Sequence, residues 1–220
     1  MYLLPFFIWS MSPENVWAHH TSEDLPSGVD VTSPNQLGPV IQYLFLGYEH
    51  ILPEGLDHIL FVLGLFFLSS RFKSLLWQVT AFTVAHSVTL ALSSFQVISL
   101  SASIVEPLIA LSIVYVAVEN LYTTELKPWR PLVIFGFGLI HGLGFAGVLA
   151  ELGLPQQHFL TALVSFNVGV ELGQLSVIGL AYLAVGWFRS QSWYRTYLSM
   201  PASCGIALMA GYWTIDRILN

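Results

Sequence analysis

The chain has 220 residues, of which 55% are hydrophobic and only 9% are charged, and its formal net charge is −6. A soluble domain carries roughly a quarter charged residues, so this composition excludes an ordinary soluble protein and predicts an all-α, polytopic integral membrane protein. The few basic residues form no patch, which excludes nucleic acid as a partner, and the single cysteine, Cys204, excludes an internal disulfide.

The first 36 residues are expected to precede the membrane domain. Residues 1–18 begin with a short apolar run and end in V-W-A, which predicts a signal peptide cleaved after Ala18; an uncleaved anchor is the alternative. Residues 19–36 are polar and contain two prolines and a glycine, which is typical of an exposed tail. Residues 37–220 are then a single transmembrane helical domain.

Six later stretches are apolar and approach the roughly 20 residues that a membrane span needs. The segment 37–51 is a shorter apolar stretch, and we expect it to form a half-helix at the outer surface. Pro53 and Gly55 predict a break between this half-helix and the first span. The six predicted spans are 54–70, 75–95, 101–122, 131–150, 159–187 and 198–217.

Basic residues occur in every second connection between the predicted spans. By the positive-inside rule those connections are cytoplasmic, which places the chain in the inner (plasma) membrane with both mature termini outside. Arg217, in the last turn of the last span, is the exception to this pattern. The basic residues of the cytoplasmic connections are Arg71, Lys73, Lys127, Arg130, Arg189 and Arg195.

Polar and ionisable residues recur inside the predicted spans, although each costs a few kcal/mol to insert in a bilayer. The motif HILPEGLDH at 50–58 leads into the first span, and the second span contains the polar residues of FTVAHSVTL at 82–90. The fifth span places Asn167, Glu171 and Gln174 at positions i, i+4 and i+7, which is one stripe of a helix. Interhelical hydrogen bonding is the structural alternative for any one of these residues.

The depth of these residues predicts a polar funnel that opens to the outside. At about 1.5 Å rise per residue, His86, His141 and Glu171 lie near the middle of their spans, whereas Asp57 and Glu106 lie nearer the outer ends. Imidazole and carboxylate ligands without thiolate suit Ni, Co, Zn or Fe. The candidate metal ligands are His50, Asp57, His58, His86, His141 and Glu171, with Glu54, Thr83, Ser87, Glu106, Asn167 and Gln174 as supporting residues.

Five motifs in this order resemble the HupE/UreJ family over about residues 40–215: the two quoted above, VEPLIALSI at 105–113, HGLGFA at 141–146 and FNVGVELGQ at 166–174. The resemblance implies a membrane protein associated with hydrogenase and urease accessory genes and with nickel or cobalt uptake. It also implies a metal role for the matched residues His50, Asp57, His58 and His141.

Two departures set the chain apart from the nickel-uptake branch of that family. The segment from His50 has extra length before Gly55, and Val148 stands where that branch has a glutamate. The chain therefore resembles the second HupE/UreJ-like branch.

These observations together predict a permease for a divalent transition metal rather than an enzyme. The residues from His50 to His58 would capture the ion, and His86, His141 and Glu171 would form a midplane site. No P-loop is present, so transport would be passive or driven by the membrane potential. An intramembrane zinc-type hydrolase, with Asp57 or Glu171 as base, and a metal-binding accessory protein are the alternatives. A homo-oligomer is also left open.

Overall fold

The computed structural model describes residues 37–68, 71–125, 127–144 and 159–219. The predicted signal peptide and polar tail lie outside these ranges, as do the last residues of the fourth predicted span, 145–150. The described chain is all-helical and contains no strand, as expected. Its α-helices are α1 (Leu37–Glu49), α2 (Leu56–Leu68), α3 (Phe72–Ser94), α4 (Ala102–Tyr122), α5 (Arg130–Gly144), α6 (Phe159–Val185) and α7 (Met200–Leu219).

Three helices of the described ranges are long and apolar enough to cross a bilayer by length and composition. They are α3, α4 and the stretch Phe159–Phe188, which is α6 continued by one 3₁₀ turn. Helices α2 and α5 are apolar but have only 13 and 15 described residues, and a span of the bilayer core needs about 20. The coarse prediction of a membrane-type helical bundle is therefore supported, while the count of six spans stays a prediction.

The predicted break between the half-helix and the first span is present. Helix α1 ends at Glu49, a turn follows, and α2 begins at Leu56. Gly55 closes the turn against the backbone of His50, because a Cβ at this position would collide with the His50 carbonyl oxygen. Asp57 lies in the first turn of α2, where a negative charge is favourable to the helix dipole.

Helix α2 is the centre of the bundle. It contacts α3, α4, α6 and α7, and around it the helices pack most extensively in the pairs α3 with α5, α4 with α7, and α1 with α6. Phe61, Val62 and Leu65 of α2 are fully buried. A residue at the start of α2 therefore faces several other helices at once.

Glycines allow the close helix contacts that bring the polar residues together. A Cβ at Gly47 of α1 would collide with the Phe166 carbonyl of α6, and one at Gly169 of α6 would collide with the Leu44 carbonyl of α1. Small residues allow such backbone contact in membrane bundles. This contact holds the end of α1 against α6.

The α3–α5 pair is built in the same way. A Cβ at Gly138 or Gly142 of α5 would meet the carbonyl of Phe82 or of His86, respectively. These glycines therefore have a packing role, and the contact places His141 beside α3.

The outward faces of the helices are apolar, which fits a lipid environment. Along α6, four large apolar side chains spaced four residues apart are 43–71% exposed: Leu160, Val164, Val168 and Leu172. A monomeric soluble protein rarely exposes so much contiguous apolar surface. These faces support the bilayer as the partner of the bundle.

One residue expected in a loop has a structural role inside the bundle. Arg130 is the first residue of α5 and is buried, with its Nε 3.0 Å from Oε2 of Glu119. Arg130, which the charge pattern predicts to be at a cytoplasmic connection, thus forms a buried ion pair, and this lowers the cost of burying each charge alone.

Candidate metal centre

Three histidines from three consecutive elements converge in the bundle. His50 lies in the turn after α1, His58 lies in the first turn of α2, and His86 lies in the middle of α3. One potential ligand nitrogen from each residue lies within 4.8 Å of the other two. The three side chains are at most 9% exposed, so the cluster is enclosed by protein.

The separations in this cluster are compatible with a single bound ion. A tetrahedral ion bound by imidazole nitrogens at 2.0–2.1 Å requires ligand atoms roughly 3.4 Å apart. The histidine nitrogens would therefore have to close by at most about 1.4 Å, a movement that side-chain torsions can supply. Three imidazoles leave a fourth position open for water or another ligand.

Asn167 of α6 orients His86. The Asn167 Nδ2 donates to the Leu163 carbonyl at 2.8 Å, so the Oδ1 of the same amide points to His86 Nδ1 at 3.2 Å. An amide oxygen can only accept, so His86 carries its proton on Nδ1. The lone pair of His86 is then on Nε2, a buried atom with no hydrogen-bond partner in the described chain. A bound metal would supply that missing partner.

His141 of α5 lies directly beside the three-histidine cluster. Its Nδ1 is 3.4 Å from His58 Nε2, and its Nε2 is 3.0 Å from the hydroxyl oxygen of Ser112. The ring of Phe82 packs against His141 and His58, with ring centroids 4.9 Å and 5.8 Å away. The sequence analysis missed Ser112, although it lies within the quoted motif at 105–113.

Asp57 is paired with Arg217, the one basic residue that departs from the positive-inside pattern. Arg217 Nη2 donates to Asp57 Oδ2 at 2.9 Å, and Arg217 Nη1 donates to the Glu106 backbone carbonyl at 3.2 Å. Among the described residues, the histidine cluster therefore includes neither Asp57 nor Glu106. Two features of the sequence indicated this pair. An arginine that departs from the charge pattern lies at the outer end of one predicted span, and an aspartate lies at the outer end of another.

The predicted stripe on α6 faces α3, as its spacing implied. Glu171 Oε1 accepts from Thr80 at 2.7 Å, and Gln174 Oε1 accepts from Thr83 at 3.0 Å. With the His86–Asn167 contact, these pairs form a row that continues about 9 Å along α3 from the histidine cluster. The structure thus places Glu171 in this row rather than among the clustered histidines.

The two other predicted supporting residues are Glu54 and Ser87. Glu54 is exposed in the turn before α2. Ser87 donates to the Thr83 carbonyl of its own helix at 2.7 Å, a local bond that is common for serine in helices.

The structure brings together residues that the sequence analysis had assigned to two levels. His50 and His58 were expected at an outer mouth, and His86 at a separate midplane site. Their ring centroids are instead 6.1 Å (His50 to His86) and 6.0 Å (His58 to His86) apart. The break after α1 allows this arrangement, because α1 packs on α6 while α2, which follows the break, contacts both α3 and α6.

Comparison with known proteins identifies the family. The family model described as HupE / UreJ protein matches residues 29–217, nearly the whole chain. No curated protein and no solved structure matches the chain. The family predicted from the ordered motifs is thereby confirmed, and the chain belongs to the HupE/UreJ family.

Proposed function

We propose that this protein is a permease for a divalent transition-metal ion that enters from the outside, with nickel or cobalt as the cargo implied by the family resemblance. The observation that carries the proposal is that His50 of the turn after α1, His58 of α2 and His86 of α3 form one buried cluster. Such an imidazole set suits borderline divalent metals.

The polar row along α3 and α6 supports transport over static binding. One and two turns along α3 from His86, the pairs of Thr83 with Gln174 and Thr80 with Glu171 offer further oxygen ligands. A carboxylate on this row would stabilise a cation that has left the histidines. The topology that fits this path has six spans in the plasma membrane and both mature termini outside, so that the cytoplasmic connections carry the basic residues.

The membrane potential is a sufficient driving force for the proposed transport. Each elementary charge moved inward gains about 2.3 kcal/mol per 100 mV, so a divalent cation gains about twice that. Uptake therefore requires no nucleotide hydrolysis.

The test is metal flux into proteoliposomes that contain an indicator for cobalt(II) or nickel(II). Wild-type protein should support flux, and His58→Ala and His86→Ala should each abolish it, because each removes one of three ligands. Cys204→Ser is the matched control. Cysteine, like histidine, binds transition metals, but the single cysteine of this chain is exposed and lies outside the histidine cluster. Equal flux in the wild type and in both histidine variants would refute the permease.

A zinc-dependent hydrolase is the second candidate, and the same histidine cluster favours it. Three histidines with an open fourth position are a known arrangement for activating a zinc-bound water. A metal-binding accessory protein would also use these ligands. Tight binding of one ion per chain without any flux would support these alternatives, and hydrolysis of an added ester or peptide would then separate the enzyme from the accessory protein.

A further inference from the structure

Ser112 of α4 makes two polar contacts, and the hydrogen-bonding capacity of each partner determines which of them receives the hydroxyl proton. Its side chain is buried, with Oγ 2.6 Å from the Ile109 carbonyl oxygen and 3.0 Å from His141 Nε2. A carbonyl oxygen can only accept, so the single hydroxyl proton must point to Ile109. The Ser112 oxygen is then left as an acceptor toward His141.

This assignment continues through the two imidazoles. His141 must donate from Nε2 to Ser112, and a neutral imidazole has only one N–H, so His141 Nδ1 carries a lone pair. That atom faces His58 Nε2 at 3.4 Å, so His58 must be the donor and carry its proton on Nε2. The remaining lone pair of His58 is then on Nδ1.

We infer that Ser112 is a positioning residue that fixes the tautomers of His141 and His58, so that His58 presents Nδ1 to a bound metal ion. His141 then acts as an orienting partner of a ligand and does not bind the ion itself. The inference rests on the proposed function, because the tautomer of His58 bears on function only if the cluster binds a metal.

The hydrogen bonds that orient His86 follow the same principle, which strengthens the assignment. There, the Leu163 carbonyl fixes the Asn167 amide, and the amide fixes His86. Here, the Ile109 carbonyl fixes the Ser112 hydroxyl, and the hydroxyl fixes His141. Metal-binding histidines generally donate their second N–H to such a partner, which sets the tautomer and the ring orientation. In both series of hydrogen bonds the final acceptor is a backbone carbonyl of a helix, so the histidines are oriented without a buried carboxylate.

The direct test reads the tautomers in the metal-free protein by ¹⁵N NMR of histidine-labelled samples in detergent. The resonances of His141 and His58 are assigned by comparison with His141→Gln and His58→Gln. Wild-type protein should show both rings protonated at Nε2 and unprotonated at Nδ1. An Nδ1–H form of either ring in the wild type would overturn the inference, and this measurement requires no Ser112 variant.

Substitution of Ser112 gives the second test. In Ser112→Ala, His141 loses its acceptor and should populate the Nδ1–H form, whereas Ser112→Thr keeps the hydroxyl and should keep the wild-type tautomer. The affinity of the purified protein for cobalt(II) should fall about 10- to 100-fold in Ser112→Ala and recover in Ser112→Thr. Ser94→Ala is the control, because the Ser94 hydroxyl likewise donates to its own helix, to the Leu90 carbonyl at 2.8 Å. Unchanged tautomers and unchanged affinity in Ser112→Ala would overturn the inference.

The two measurements separate this inference from the proposed function. If the wild type binds no cobalt(II) and supports no flux, the proposed function fails whatever the tautomers are. If the wild type binds the ion but Ser112→Ala matches it in tautomer and affinity, the role of Ser112 fails and the metal centre stands.

Discussion

Arg217 in the last helix holds Asp57, the residue immediately before His58, through a hydrogen bond of 2.9 Å between Nη2 and Oδ2. The side chains of the pair are only 9% and 18% exposed. The start of α2 is thereby attached to the end of α7, 160 residues away in sequence. The position of His58 thus depends on a contact that lies outside the histidine cluster.

Removing one charge of this pair should destabilise the protein. In Asp57→Asn, the Arg217 charge stays partly buried without its counterion, and we expect a loss of about 3 kcal/mol in the free energy of unfolding. Arg217→Gln should have a similar cost for the converse reason. Thermal unfolding of the purified protein in detergent measures both.

The double variant Asp57→Asn with Arg217→Gln is the control for this prediction. It leaves no uncompensated charge, so it should be more stable than either single variant. Additive losses in the double variant would show that the two side chains are not coupled.

Asn167 should control metal affinity through His86. Asn167→Leu removes the acceptor for His86 Nδ1, so the His86 proton is free to move to Nε2 and occupy the proposed ligand atom. We expect a 10- to 100-fold loss of cobalt(II) affinity, typical of a lost orienting partner. Isothermal titration of the purified protein measures the change.

The matched variant is Asn167→Asp, whose carboxylate still accepts from His86 and should retain affinity. Wild-type affinity in Asn167→Leu would contradict the orienting role.

The close contact of α5 with α3 should tolerate no side chain at Gly142. A Cβ there would meet the His86 carbonyl and the Thr89 hydroxyl oxygen, so Gly142→Ala must push the helices apart beside His86. Overpacking of this kind costs about 1–3 kcal/mol, and the shift should also reduce metal affinity. Unfolding temperature and cobalt(II) titration report the two effects.

Gly136→Ala lies on the same helix and serves as the control. A Cβ at Gly136 would meet no neighbouring atom within 4 Å, and alanine has the higher helix propensity. This variant should leave affinity unchanged and stability unchanged or slightly raised. Equal losses at both glycines would show that helix propensity, and not the contact with α3, explains the result at Gly142.

Metal uptake should fall as the external solution is acidified. Protons and metal ions compete for the same imidazole lone pairs, so apparent affinity is greatest where all ligands are neutral and decreases at lower pH. Once the solution is acidic enough to protonate the cluster, the loss should approach about tenfold per pH unit for each proton displaced. Initial flux into proteoliposomes at constant internal pH measures the effect. Flux that rises on acidification would instead indicate proton-coupled entry.

Composition and motifs were enough to predict the class of protein, the family and the residue types of the site. Low charge content and long apolar segments predict a helical membrane protein, because an apolar helix satisfies its own backbone hydrogen bonds and presents apolar side chains to the lipid. The break near Pro53 and the stripe from Asn167 to Gln174 could be predicted because both depend on local geometry. The signal peptide and the six-span topology remain predictions from sequence.

Which of the polar residues contact one another depends on how the helices pack. Periodicity fixes the face of a helix on which a residue lies, but it does not fix which helix that face contacts. Contacts between glycines and backbone carbonyls bring α1 to α6 and α5 to α3. The folded bundle also places His50, His58 and His86 together, pairs Asp57 with Arg217, and pairs Glu171 with Thr80. Ser112 gained a role for the same reason: a buried hydroxyl has no visible function in a sequence until the structure shows which histidine it contacts.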